Sequence, residues 1–101
     1  MDRTRNTGVL LVDDNAAYAD NLRQILEGMT YRVLVAASCS AALELAESES
    51  FCVAIIDSRL PDGEGARLAQ TLKAQHPQAE MILFIAAPGP GPALPVIRAA
   101  V

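Results

Sequence analysis

Three aspartates stand where apolar runs end. Val9-Leu10-Leu11-Val12 stops at Asp13-Asp14-Asn15, and Phe51-Cys52-Val53-Ala54-Ile55-Ile56 stops at Asp57. Taken singly, each has an ordinary structural reading. Asp13-Asp14 can serve a helix N-terminus, where carboxylates favour the dipole and cap free N–H groups, and Asp57 can form a turn. Taken together on neighbouring strands, three like charges meet at one sheet edge and cannot all stay ionised without compensation. Either one carboxyl takes up a proton or a cation sits among them. The ligand set is all oxygen, so a hard divalent ion fits, with Mg²⁺ first because it keeps several waters and favours a few carboxylates plus a phosphate. Zinc is a poor match, since Cys39, Cys52 and His76 belong to different elements.

The elements that must position these acids follow from periodicity. The unalternating run at 9–12 predicts a strand buried on both faces, as in a parallel sheet. Tyr18, Leu22, Ile25, Leu26 and Met29 recur at helical spacing, predicting an inward face on a helix started near Asn15 and stopped near Gly28. Residues 32–36 read as a second strand, and Ser38 as the N-cap of a helix that turns Ala42, Leu43 and Ala46 inward. The third strand, 51–56, leads into a loop at 58–63 marked by Pro61 and Asp62-Gly63. A third helix with Ala66, Leu68, Ala69 and Leu72 inward ends before Pro77. Met81 to Ile85 make a fourth strand, the 88–92 proline-glycine segment a surface loop, and Ala93 to Val101 the start of a fourth helix. Strand and helix alternate, so the fold class is α/β, with a parallel sheet and right-handed crossovers.

Composition narrows the function classes. The chain has 101 residues, expected to form a single domain over 1–101. With 8 Lys+Arg against 12 Asp+Glu, its formal charge is −4, which argues against a nucleic-acid surface. No apolar run approaches the ~18 residues of a membrane span, and the first eight residues carry no apolar stretch of an export signal. Two cysteines make no disulfide framework, so both are expected to be reduced thiols and the protein cytoplasmic. The 88–92 segment is no phosphate cradle, because its prolines lack N–H donors and no Gly-Lys-Ser/Thr follows. A dinucleotide site is excluded as well, since the first strand runs into Asp-Asp-Asn and not into a glycine-rich turn. His76 precedes Pro77 at a helix end and is assigned no catalytic role.

The segments Leu10-Leu11-Val12-Asp13-Asp14-Asn15 and Ala54-Ile55-Ile56-Asp57-Ser58-Arg59-Leu60-Pro61-Asp62-Gly63 resemble those of the receiver domains of two-component response regulators. The likeness runs from about Gly8 to Ala87. It implies a flavodoxin-like receiver fold with strand order 2-1-3-4, and a phosphoacceptor role for Asp57, fed by a histidine kinase or phosphotransfer protein. It further implies Mg²⁺ held by Asp14 directly, by Asp13 largely through water, by Asp57, and by the backbone carbonyl of Arg59. Charge neutralisation by such an ion is the physical requirement for a carboxylate to approach an anionic phosphoryl group.

The chain departs from the family pattern in two places. Ala86 stands where the family carries a Ser or Thr, and a methyl group cannot hydrogen-bond a phosphoryl oxygen. The fifth strand with its Lys, and the fifth helix, are missing by the same alignment, so the domain is expected to be incomplete at its C-terminus. An apolar face and an unprotected fourth-strand edge should then need a covering partner domain or a second copy of the chain. Arg59 is read as a solvated loop residue, with a weaker reading in which its guanidinium partly replaces the Lys. The competing function is a phosphorylation-independent interaction module, which Ala86 favours. An aspartate-based phosphatase is disfavoured, because its second acid would fall at Arg59.

Overall fold

The structure, a computed structural model, describes residues 7–86 and 95–100. Its order is β1 Gly8–Val12, α1 Ala16–Gly28, β2 Arg32–Ala36, α2 Cys39–Ser48, β3 Val53–Asp57, β4 Arg59–Leu60, β5 Gly63–Glu64, α3 Gly65–Gln75, β6 Glu80–Ala86 and β7 Pro95–Ala100. The main sheet runs β2-β1-β3-β6-β7. Its first four strands are mutually parallel, as the alternation of apolar strands and helices requires. The expected order 2-1-3-4 is therefore present as β2-β1-β3-β6.

Two expectations need correcting. Residues 95–100 form no helix but a strand antiparallel to β6, from Met81↔Ala100 to Ala86↔Pro95. Val96 and Ile97 are β-branched, Pro95 takes the first position of a strand where its missing N–H is tolerated, and the pairing satisfies backbone groups on the edge of β6. The fourth parallel strand is thus not the sheet's edge. The 58–63 segment is not irregular either: Arg59 pairs with Glu64 and Leu60 with Gly63, making a small antiparallel hairpin around Pro61-Asp62. The segment 88–92, Ala87 and the first six residues lie outside the described residues.

The core sits between the sheet and α2/α3. Leu10, Val12, Ala54, Ile56 and Met81 meet Ala42, Ala46, Leu68, Ala69 and Leu72, with Phe51 and Ala79 closing the end. Even-numbered residues of β1 and β3 face this layer, as a period of two dictates. Ala66, expected inward, is exposed, and buried Gly65 takes its place on the inner side of α3. The opposite face carries Val9 and Leu11, both buried, and Val53, Ile55, Ile82 and Phe84, only partly buried.

Helix α1 packs over that second face less deeply than its pattern predicts. Ala19 is its one buried residue, while Ile25 and Met29 are more than half exposed. The apolar stripe of α1 is real, but among the described residues nothing covers its outer half. The helix ends at Gly28 as expected, yet the left-handed residue that turns the chain is Thr30, at φ 71°. Thr30 N–H donates to the Glu27 carbonyl and Tyr31 N–H to the Leu26 carbonyl, the paired bonds of a Schellman end. No helix of the described residues is long and apolar enough to cross a membrane.

Candidate functional site

Strand register assembles the site. Val12 on β1 pairs with Ile56 on β3, so one further step along both strands sets Asp13 beside Asp57. Carboxylate oxygens of Asp13, Asp14 and Asp57 lie within 4.8 Å of one another. Asp13 is buried, Asp57 partly buried and Asp14 exposed, so the cluster opens to solvent on one side.

Local hydrogen bonds hold each acid in place. The Asp13 backbone amide continues the sheet by donating to the Ala36 carbonyl, and its Oδ1 accepts the Asn15 amide at 2.9 Å. Asn15 in turn caps α1, its Oδ1 accepting the Tyr18 amide at 3.1 Å, so the acidic pair is tied to a helix start. Asp57 Oδ1 accepts the Arg59 amide at 3.2 Å. The Ser58 amide donates to the Phe84 carbonyl and the Gly65 amide to the Ser58 carbonyl, which pins the strand end under the start of α3.

The electrostatics are those of uncompensated acids. Burial pushes the Asp13 carboxyl above its ordinary range, and the neighbouring Asp57 and Asp14 push it further, against the lowering effect of the Asn15 amide. No basic side chain pairs with the three acids among the described residues; Arg23, which lines the same hollow as Asp13 and Asp14, bonds Asp20 and Glu27 instead. Tyr18 lies close enough that burial first, and the charges of Asp13 and Asp57 next, raise its phenol. Three oxygen donors gathered without a counter-charge suit a hard cation, which would remove the repulsion that lifts Asp13.

The fold thus brings Asp13, Asp14 and Asp57 together, and Arg59 touches Asp57 through its backbone amide. Ala86 ends β6 two residues past Phe84, the partner of Asp57. Cys39, Cys52 and His76 stay apart from the acids: His76 Nε2 is 2.9 Å from the Ala46 carbonyl oxygen, its ring against Phe51, and Cys52 Sγ donates to the Gly8 carbonyl.

Sequence reasoning missed three residues. Gly65, and not Gly63, is the glycine the site depends on: a Cβ at Gly65 would overlap the Asp57 carbonyl, whereas one at Gly63 meets only Cys39 Sγ at 3.3 Å. A glycine opening a helix against its propensity was the available signal. Asp62 accepts the Cys39 and Ser40 amides at 2.7 and 3.0 Å, joining the hairpin to the start of α2 and holding its own carboxyl below the usual range. The helical spacing places Tyr18 in the core, whereas its ring packs edge-on to Phe84 at the rim of the acids, with centroids 6.1 Å apart.

Comparison with known proteins places this geometry. The family model described as "Response regulator receiver domain" matches residues 9–91. Among curated relatives, the photosynthetic apparatus regulatory protein RegA of Rhodobacter capsulatus is 29% identical over 76 residues, covering 75% of this chain and 41% of its own length. The chain therefore spans well under two thirds of that relative.

Among solved structures, a CheY-like receiver domain protein of Methanospirillum hungatei superposes with a TM-score of 0.78 at 33% identity, over 84% of this chain and 68% of the other. A response regulator of Burkholderia pseudomallei, solved with a phosphorylated aspartic acid, calcium ion and citrate, gives 0.76 at 29% identity, over 81% and 48%. The response regulator TrrA of Thermotoga maritima, solved in complex with Mg²⁺-BeF, gives 0.73 at 25% identity, over 79% and 70%.

Proposed function

The chain belongs to the response regulator receiver domain family, and from that premise we propose that Asp57 is its phosphoacceptor, with Mg²⁺ held by Asp13, Asp14, Asp57 and the backbone carbonyl of Arg59. Receiver domains are signalling modules rather than enzymes, and the donor that fits is a phosphohistidine of a histidine kinase or phosphotransfer protein. The single observation that carries the reading is the convergence of three carboxylates, from two strand ends far apart in sequence, within 4.8 Å. The relatives solved with a phosphorylated aspartate and with Mg²⁺-BeF support the same chemistry here. The reduced-thiol reading of Cys39 and Cys52 goes with a cytoplasmic setting for that exchange.

In this reading an Asp57 carboxylate oxygen attacks phosphorus in line with the donor bond. The O–P bond forms as the donor's N–P bond breaks, and that electron pair leaves with the imidazole nitrogen. The Arg59 amide donates to Asp57 Oδ1 and so helps to orient the carboxylate toward the arriving group. Asp13 and Asp14 supply the remaining negative charge for the cation. A Mg²⁺ ion held by these groups would supply the positive charge that offsets repulsion between carboxylate and phosphoryl oxygens.

Incubation with Mg²⁺ and acetyl phosphate should add the mass of one phosphoryl group, and Asp57→Asn should abolish the gain. A wild-type chain that stays unmodified would overturn the proposal. The residue at position 86 favours a second reading, a module that binds partners without phosphorylation. Partner binding that Asp57→Ala leaves intact would support that one.

A further inference from the structure

Tyr18 belongs to neither acidic motif, yet the fold sets it beside both. Asp57 is the register partner of Phe84 on β6, and the β1–β3 register carried one residue further puts Asp13 next to Asp57. Register partners share a face of a sheet, so Asp13, Asp57 and Phe84 form one row across three strand ends. The Tyr18 ring stands edge-on to the Phe84 end of this row, at 79° and 6.1 Å between centroids. Its position is held twice, by the Asn15 cap on its own amide and by the Phe84 contact. The residue is 37% exposed, and no hydrogen bond to another described residue engages its hydroxyl. The other donors near the row, the Asn15 and Arg59 amides, already serve Asp13 and Asp57.

We propose that Tyr18 is a further substrate-contacting residue, whose hydroxyl donates a hydrogen bond to an oxygen of the phosphoryl group arriving at Asp57, with Phe84 holding the ring at that height. The inference rests on the phosphoacceptor reading of Asp57. During transfer the new Asp57 O–P bond forms while the donor's bond to phosphorus breaks and its electron pair departs with the donor. The peripheral oxygens stay negative throughout, and a neutral donor already fixed beside them stabilises that charge without reorganising. A phenol suits this position because it brings a donor without the positive charge that would compete with a metal ion for the acids. The sequence offers no hydroxyl at position 86 to do the same work.

Tyr18→Phe separates hydroxyl from ring, since it keeps the contact with Phe84. With acetyl phosphate as donor, the initial rate of phosphorylation is expected to fall about tenfold, the worth of one hydrogen bond to a charged group. Mg²⁺ affinity measured by calorimetry on the unphosphorylated protein should stay unchanged. An unchanged rate would overturn the assignment of Tyr18 alone. A parallel loss of rate and Mg²⁺ affinity would also overturn it, by showing that Tyr18 merely supports the acid cluster. A wild-type chain that gains no phosphoryl group would remove the Asp57 reading, and the Tyr18 inference with it.

Discussion

Gly65 and the carbonyl group of Asp57 are in such close approach that a Cβ on the glycine would lie 2.9 Å from the carbonyl carbon and overlap its oxygen. Helix α3 therefore begins directly on top of the strand end that carries the Asp57 carboxylate. Its first amide, that of Gly65, donates to the Ser58 carbonyl there.

Gly65→Ala should accordingly destabilise the fold by about 1–3 kcal/mol, the usual cost of overpacking a closed contact. Gly63→Ala, which meets only the movable Cys39 sulfur, should cost clearly less. Denaturant midpoints of the two variants decide the matter, and equal values would refute the close-approach argument.

Asp13 makes stability depend on pH in the direction opposite to most carboxylates. Its folded pKa is raised, so the folded state binds the Asp13 proton more tightly than the unfolded chain does. Stability from this group is full below the ordinary aspartate range and is lost as pH climbs through the raised folded value. Asp13→Asn should thus raise the melting temperature of the metal-free protein at neutral pH, with the gain vanishing in acid. Added Mg²⁺ should stabilise the wild type more than the variant, because it removes the same repulsion. Calorimetric scans across pH, with and without Mg²⁺, test both statements.

Asp62 behaves in the ordinary way. The Ser40 and Cys39 amides hold its carboxyl below the usual range. Its contribution is therefore present above the unfolded pKa and disappears as pH falls through the lowered folded value. Asp62→Ala should lower the melting temperature at neutral pH and leave it unchanged in strong acid. It should also speed amide exchange at Cys39 and Ser40, the two groups it caps.

Thr30 carries a β-branched side chain at φ 71°, where such residues rarely sit. Thr30→Gly relieves that conformation while leaving the Schellman bonds of Glu27 and Leu26 in place. A gain of about 1 kcal/mol is expected from the released backbone strain, read as a shifted denaturation midpoint. No gain would mean that the Thr30 hydroxyl's bond to the Met29 carbonyl offsets the strain.

Residue types and spacing alone determined the strand-helix alternation as far as β6, a helix start near Asn15, the N-cap at Ser38, and the three aspartates at strand ends as the candidate site. These are legible because periodicity and capping are local, and because three acids at neighbouring strand ends repel one another unless something compensates them. Tertiary structure decided that Gly65 and not Gly63 lies against the Asp57 carbonyl, and that Asp62 caps a helix more than twenty residues away. It also decided that residues 95–100 pair with β6 as a strand, and that Tyr18 leans on Phe84 beside the acids. Each of these depends on which surfaces and which unpaired backbone groups meet in space. A window of sequence records a residue's own preferences, whereas the partner that overrules them arrives from elsewhere in the chain.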